Sequence, residues 1–315
     1  MAREHDLGNG IHMLDTEYIS KHIASMYLII EQDSVAIIET GTHNSIKLVE
    51  SKLKDLGLNF DNVEYIIPTH VHLDHAAGAG GLMQVCKNAQ LVVHPKGAPH
   101  LIDPSKLIAS TVNVYGQKKF DQLYNKIIPV ACERVIEAPD NFLLSLKERE
   151  LLFIETRGHA RHHFCIWDDI SGLMFTGDTF GISYSEFDIG ADIFIFPATT
   201  PTQFEPQEMI KSIDKILSFQ PKRICLTHFG AIRPNDKITK QLKSAIEFMA
   251  DTTVKYFNKP NASEKISQEI LDYFLASLEQ MGFKHNLDYA KKKLMIDVEL
   301  NTQGLLVWQQ RQAVG

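Results

Sequence analysis

Before residue 235, short apolar runs alternate with stretches whose apolar positions recur at helical spacing; after Pro234 only the helical spacing remains. Residues 24–30 and 35–39 are apolar runs joined by Glu31-Gln32-Asp33-Ser34, a pattern that predicts a β-hairpin. Residues 45–56 place Ile46, Val49, Leu53 and Leu56 on one helical face, and Gly57 ends it. Val63–Ile67 reads as a strand stopped by Pro68, residues 82–87 as a helix and residues 91–93 as a strand. The alternation breaks over 97–140, which reads as an insert with short helices over 107–115 and 120–126. Residues 151–155, 163–167 and 172–175 restore the strand pattern, with Asp168-Asp169-Ile170-Ser171-Gly172 as a turn. Residues 206–219 carry Met209, Ile210, Ile213, Ile216 and Leu217 at helical spacing behind Pro206, and Arg223–Leu226 is the last strand. Three helical patterns follow, through Ile238 to Met249, Ile266 to Leu278, and residues 287–298. The pattern predicts an α/β domain over 1–234 and an all-helical extension over 235–315.

Composition narrows the functional classes. Hydrophobic content of 44% and charged content of 23% are those of an ordinary globular chain. A net charge of -7 and a pI near 6.0 argue against a general nucleic-acid binder. The polar start, Met1-Ala2-Arg3-Glu4-His5-Asp6, lacks a signal-peptide core, and no apolar run approaches spanning length. The expectation is a cytoplasmic protein with a small-molecule substrate, no nucleic-acid or membrane partner, and scope for a homo-oligomer. Cys86, Cys132, Cys165 and Cys225 are too scattered for a disulfide framework or a thiolate zinc site. Cys165 and Cys225 read as buried, inert thiols.

The chemistry concentrates in Thr69-His70-Val71-His72-Leu73-Asp74-His75, directly after the strand Val63–Ile67. Imidazole and carboxylate at this density suit divalent transition metals. On an extended loop His70 and His72 point the same way, whereas Asp74 and His75 lie past a turn and reach a second position. Two adjacent metals fit better than one. Three later strand ends supply further ligand types: His159 in Gly158-His159-Ala160, Asp178 in Thr176-Gly177-Asp178, and His228 in Leu226-Thr227-His228. His94 and His100 stand on the insert side and read as ordinary loop histidines.

On these motifs, over roughly residues 10–235, the chain resembles the metallo-β-lactamase fold superfamily and, within it, the glyoxalase II-like metallohydrolases. The resemblance implies a four-layer αβ/βα sandwich with the site at one edge between the sheets. It implies that His70, His72 and His159 hold one metal, that Asp74, His75 and His228 hold a second, and that Asp178 bridges both. Two departures stand out. The strand-end motif often carries aspartate, but here it is Ile38-Glu39-Thr40-Gly41. The loop after the third histidine often carries proline and glycine, but here it runs through Arg161-His162-His163.

The resulting expectation is a hydrolase of an ester-like bond, a thioester or a lactone, acting through a metal-bridging hydroxide, with Asp74 also passing a proton to the leaving group. Zinc is the default metal, with iron and manganese as alternatives. Strand alternation lets at most one of His162 and His163 face the site, as a substrate or outer contact. Tyr184 is a candidate oxyanion donor, set against a plain packed aromatic. The rival function is a non-hydrolytic diiron protein that binds or reduces a diatomic gas. Flavodiiron relatives usually carry a glutamate inside the first ligand motif and a flavin domain, and this chain has neither.

Overall fold

The computed structural model describes residues 5–199, 202–283 and 286–314. Among these residues the strands form two sheets. The first runs in chain order through Asp6–Gly8 (β1), Ile11–Asp15 (β2), Ser25–Glu31 (β3), Ser34–Ile38 (β4), Val63–Ile67 (β5), Gln90–Val93 (β6) and Val135–Glu137 (β7). Its β1–β4 half is antiparallel and its β4–β7 half parallel. The second contains Phe142–Leu146 (β8), Arg149–Glu155 (β9), Phe164–Asp168 (β10), Leu173–Gly177 (β11), Arg223–Leu226 (β12) and Gly230–Ile232 (β13), with only β11 and β12 parallel.

Side-chain alternation explains the layering. Tyr27, Ile29, Ala36 and Ile38 point inward and meet Phe153, Phe164, Ile166 and Phe175 of the second sheet. The intervening Met26, Leu28, Val35 and Ile37 point outward. There they pack under helices Ile46–Asp55 (α1), Leu73–Ala76 (α2), Ala79–Val85 (α3) and Ala98–Ile102 (α4). On the far side Ile154, Cys165, Met174, Ile224 and Leu226 face helix Pro206–Ser218 (α7) and the three C-terminal helices, Asp236–Tyr256 (α8), Ala262–Gln280 (α9) and Leu287–Val314 (α10). Helices Ser105–Tyr115 (α5) and Gln117–Tyr124 (α6) complete the set. The result is the expected helix–sheet–sheet–helix sandwich with a helical C-terminal part.

Several elements differ from the sequence pattern. β7 lies inside 97–140, so the insert proper is α4–α6, while β7 extends the first sheet beside β6. At three half-exposed residues it is too short to show a period. β1 and β13 are also three residues long, and the five-residue β2 and β8, Ile11-His12-Met13-Leu14-Asp15 and Phe142-Leu143-Leu144-Ser145-Leu146, lack a clean apolar–polar alternation. α10 continues well past residue 298, because it packs on several sides at once and carries no single apolar stripe for periodicity to find.

A buried charge cluster ties the two sheets together. Arg149 on β9 donates to Asn9 O at 2.6 Å and pairs with Glu31 on β3 at 3.2 Å and with fully buried Asp168 on β10 at 3.5 Å. Among the described residues no helix is long and apolar enough to cross a membrane.

Candidate metal centre

The C-terminal ends of β4, β5, β9, β11 and β12 open on one edge of the sandwich, and each delivers a residue to it. Outside the carboxyl ends of strands is where the sheets leave room for polar loops. His70 and His72 leave β5 in extended form, with His72 at φ -63° and ψ 148°. Asp74 and His75 then lie on the single turn of α2, whose first bond runs from His75 N to His72 O at 3.0 Å. That turn, rather than a looser loop, swings the second ligand pair away from the first. Thr40 straps it to the end of β4, donating to His75 O from both its amide and its hydroxyl.

Glycine is required beside two of the distant ligands. Gly158 has φ +124°, and a Cβ there would stand 2.3 Å from the Met209 backbone. Gly177 has φ +49°, and its Cβ would meet His163 Nε2 and Thr69 Oγ1 at 2.5 Å.

The seven residues converge as two groups sharing one carboxylate. His72 Nδ1 lies 2.8 Å from His70 Nε2 and 3.0 Å from His159 Nε2. His228 Nε2 lies 3.2 Å from Asp74 Oδ2, and His75 Nε2 lies 3.5 Å from that oxygen. Asp178 stands between the groups. Its Oδ1 is 3.2 Å from His75 Nε2 and 3.6 Å from His228 Nε2, and its Oδ2 is 3.4 Å from His159 Nε2.

The hydrogen bonds behind these atoms fix which nitrogens carry protons. His159 Nδ1 donates to Ala198 O and His228 Nδ1 to Ile23 O, both at 2.9 Å; a carbonyl only accepts. His75 Nδ1 donates to Glu39 Oε1 at 2.9 Å. Thr69 gives its hydroxyl proton to Glu39 at 2.6 Å, so its oxygen accepts from His70 Nδ1 at 3.1 Å. With those Nδ1 protons committed, the Nε2 atoms of neutral His70 and His159 are bare lone pairs aimed at His72 Nδ1, while His75 and His228 aim Nε2 at the Asp178 and Asp74 carboxylates. Buried lone pairs facing each other repel unless a cation sits among them. Among the described residues, buried His75 Nε2 and Asp178 Oδ1 make no well-directed hydrogen bond, although they stand 3.2 Å apart. The donor set thus fits divalent ions, with His70, His72 and His159 as one group and Asp74, His75 and His228 as the other.

Electrostatics points the same way. Burial and neighbouring imidazoles hold His70 and His72 well below the usual range. Burial also opposes charge on His75 and His228, yet the Asp178 and Asp74 carboxylates outweigh it, raising His75 well above normal and His228 to about 9. Burial works against the ionised Asp178 and Asp74, but the same imidazoles pull both down. The group around Asp178 seeks positive charge.

Of the other predicted residues, the histidine pair differs from expectation. His162 and His163 both adjoin the centre, from different sides. His163 is fully buried, contacts the Thr156 and Thr179 hydroxyls, and accepts from Asp178 N at 3.3 Å. His162 stacks 6.1 Å from the His70 ring, accepts from Val71 N at 3.5 Å, and is pulled by burial to about 3. Simple alternation failed because His162 precedes β10 and lies in the turn. Tyr184 is a packed aromatic whose hydroxyl donates to Asp297 of α10 at 3.0 Å, so it is committed elsewhere and not offered to an oxyanion. His94 bonds Glu155 and stays outside the groups. Cys165 and Cys225 are buried free thiols, and burial pushes Cys165 up to about 12.

Glu39, noted only as a departure from pattern, proves central: beyond His75 and Thr69 it accepts from Thr227 Oγ1 at 2.8 Å. The paired Thr69-His70 and Thr227-His228 steps were a usable signal for it. The orienting carbonyls of Ile23 and Ala198 had none, since any residue supplies a carbonyl.

A profile of the metallo-beta-lactamase superfamily matches residues 20–228, a span containing every residue of both groups. ST1585 of Sulfurisphaera tokodaii, described as a metallo-beta-lactamase fold-containing protein, is 26% identical over 259 residues, 78% of this chain and 88% of that one. The solved structure of TTHA1429 from Thermus thermophilus, a metallo-beta-lactamase family protein, matches with a TM-score of 0.69 at 17% identity, covering 98% of this chain and 95% of that one. A structure described as a peroxy diiron species of the chemotaxis sensor ODP matches with a TM-score of 0.53 at 13% identity, over 76% of this chain and 91% of that one. The structural likenesses speak for the fold, and the profile, spanning most of the chain, settles the family: the chain belongs to the metallo-beta-lactamase superfamily.

Proposed function

We propose that this chain is a binuclear metal-dependent hydrolase of an ester-like bond, a thioester or lactone, of glyoxalase II-like type. The observation that carries this reading is Asp178, whose two oxygens address the two ligand groups separately. His70, His72 and His159 would hold one ion and Asp74, His75 and His228 the other, with Asp178 shared and zinc as the default metal. Two bound divalent ions would supply acidified water and a polarised acyl carbonyl. The chain's own work is to hold the Nδ1 protons and so aim the opposite nitrogens, through Glu39, Thr69 and the Ile23 and Ala198 carbonyls. Asp74 is the more open of the two carboxylates, with a side chain 23% exposed against 5% for Asp178. That opening suits it to take the proton released by the attacking water and hand it on to a departing thiol or alcohol. The substrate is a small molecule, and the setting is the cytoplasm.

The test is metal content and turnover of the zinc-loaded protein across thioesters, lactones and phosphodiesters. The expected result is about two metal ions per chain and hydrolysis of an acyl class. Metal near one or zero after loading, or two bound ions without acyl turnover, overturns the reading. The likeness to the diiron sensor favours a second reading, a gas-binding diiron protein. Protein purified without added metal would then hold iron and absorb visible light. The absence of a glutamate from His70-Val71-His72-Leu73-Asp74-His75 puts this reading second.

A further inference from the structure

Four of the five candidate ligand imidazoles, His70, His75, His159 and His228, are aimed by a partner behind them, and the partners come from different parts of the molecule. His70 and His75 are held from the first sheet, through Thr69 and Glu39. His228 is held by Ile23 O from the connection between β2 and β3. His159 alone of these is held by residues 197–199, through Ala198 O at 2.9 Å. Those residues belong to no strand or helix, so no ladder fixes the direction of that carbonyl.

What fixes it comes from α10. Asn301 is 2% exposed and clamps both neighbours of Ala198. Its Oδ1 accepts from Thr199 N at 2.8 Å, and its Nδ2 donates to Pro197 O at 2.9 Å. Its backbone carbonyl also accepts from Thr199 Oγ1 at 3.0 Å. A side-chain amide is suited to this double task, since it offers one acceptor and one donor set in a single rigid plane. Aspartate would lose the donor, and an apolar residue both.

We propose that Asn301 is a positioning residue for the metal centre: by clamping Pro197 and Thr199 it aims the Ala198 carbonyl that keeps the His159 Nδ1 proton in place and Nε2 directed at the His70–His72 group. The inference rests on the metal-centre reading above. It gives the C-terminal helices a part in metal affinity although they contribute no ligand.

The experiment is a zinc titration of the full-length protein against a chelating indicator, with Asn301→Ala and Thr302→Val compared to wild type. Thr302 is the control. It is buried beside Asn301 and accepts from Ser267 of α9 at 2.9 Å, so its loss loosens the same helix without touching the clamp. Asn301→Ala should weaken one of two zinc-binding steps by about 10–100-fold, the usual effect of losing an outer-shell partner, and leave the other step unchanged. The loss should persist in a His228→Ala background, which keeps the His70–His72–His159 group, and vanish in a His72→Ala background. Thr302→Val should lower the melting temperature and leave both steps in place. Two zinc ions bound with an unchanged Asn301→Ala curve overturn the clamp alone. Equal weakening of both steps, matched by Thr302→Val, also overturns it, as a general loss of stability. A wild-type chain that takes up no zinc overturns the metal-centre reading and the clamp with it.

Discussion

At the scale of single residues, the centre depends on who touches the ions directly and who only aims the residues that do. Asp178 reaches both ligand groups, whereas His163 touches the Asp178 backbone and His162 packs beside His70 and accepts from Val71 N. Asp178→Ala should therefore cost more activity than either His162→Ala or His163→Ala. The histidine changes should fall within about 10–100-fold, as outer-shell changes do. Initial rates of the three variants at saturating zinc decide it, and equal losses would show that the bridging role is misassigned. Asp297 gives a pH-dependent case. Burial pushes its carboxyl up to about 6 from an ordinary 3.8, against the opposing pull of Tyr184, His228 and Lys293. A folded-state value above the unfolded one means that the fold binds this proton more tightly, so stability present at pH 4 is lost as pH rises through 6. Asn at this position has no such proton. In metal-free protein, Asp297→Asn should thus gain melting temperature relative to wild type on going from pH 4 to pH 8. Because the group is half-buried and screened, the gain should be on the order of 1 kcal/mol, a few degrees. Parallel pH profiles for the two proteins would refute it.

At the scale of elements, legibility followed length and one-sidedness. β3, β4 and β5 are apolar runs, the first two buried on both faces, and α1 carries a one-sided apolar stripe, so all four were legible. The helix face with Met209, Ile213 and Ile216 on α7 was equally plain, because those residues are buried together. β1, β7 and β13 are three residues each, less than a period test can use. α10 was truncated in the sequence pattern because its later half meets different neighbours at successive turns: Asn301 at 197–199, Leu305 in the core, Trp308 against Phe204. α2 was read as a loop turn because a single helical turn has no periodicity; its geometry is set by Thr40 and by the Gly78 to Gly41 backbone bond.

At the scale of the molecule, the C-terminal helices and the second sheet share one core. Ile238, Leu242, Ile246, Met249, Ile266, Ile270 and Phe274 are buried with Ile154, Met174 and Leu226 of the sandwich. Each fully buried side chain of this size contributes about 1.5–3 kcal/mol of transfer free energy, so removing the helices uncovers far more than a surface patch tolerates. Truncation after Pro234 should therefore give aggregated protein, or soluble protein with weakened zinc binding, because the Asn301 clamp goes with it. Light scattering and zinc content check this. A soluble truncated chain with both metals and unchanged Michaelis constant would show that the helices serve some other purpose.

The sequence by itself determined the donor set and its place at strand ends, because ligand chemistry is carried by residue type and the spacing His-x-His-x-Asp-His is short and local. The same motifs carried the resemblance that implied the layer order. Only the tertiary structure decided how the donors are aimed. Glu39 reaches His75 and Thr227 from separate strands, Ile23 O reaches His228 across the chain, and Asn301 reaches the segment behind His159 from the last helix. Those contacts join residues far apart in sequence through backbone carbonyls and ordinary polar side chains. Neither leaves a period or a motif, so they exist as information only once the chain has folded.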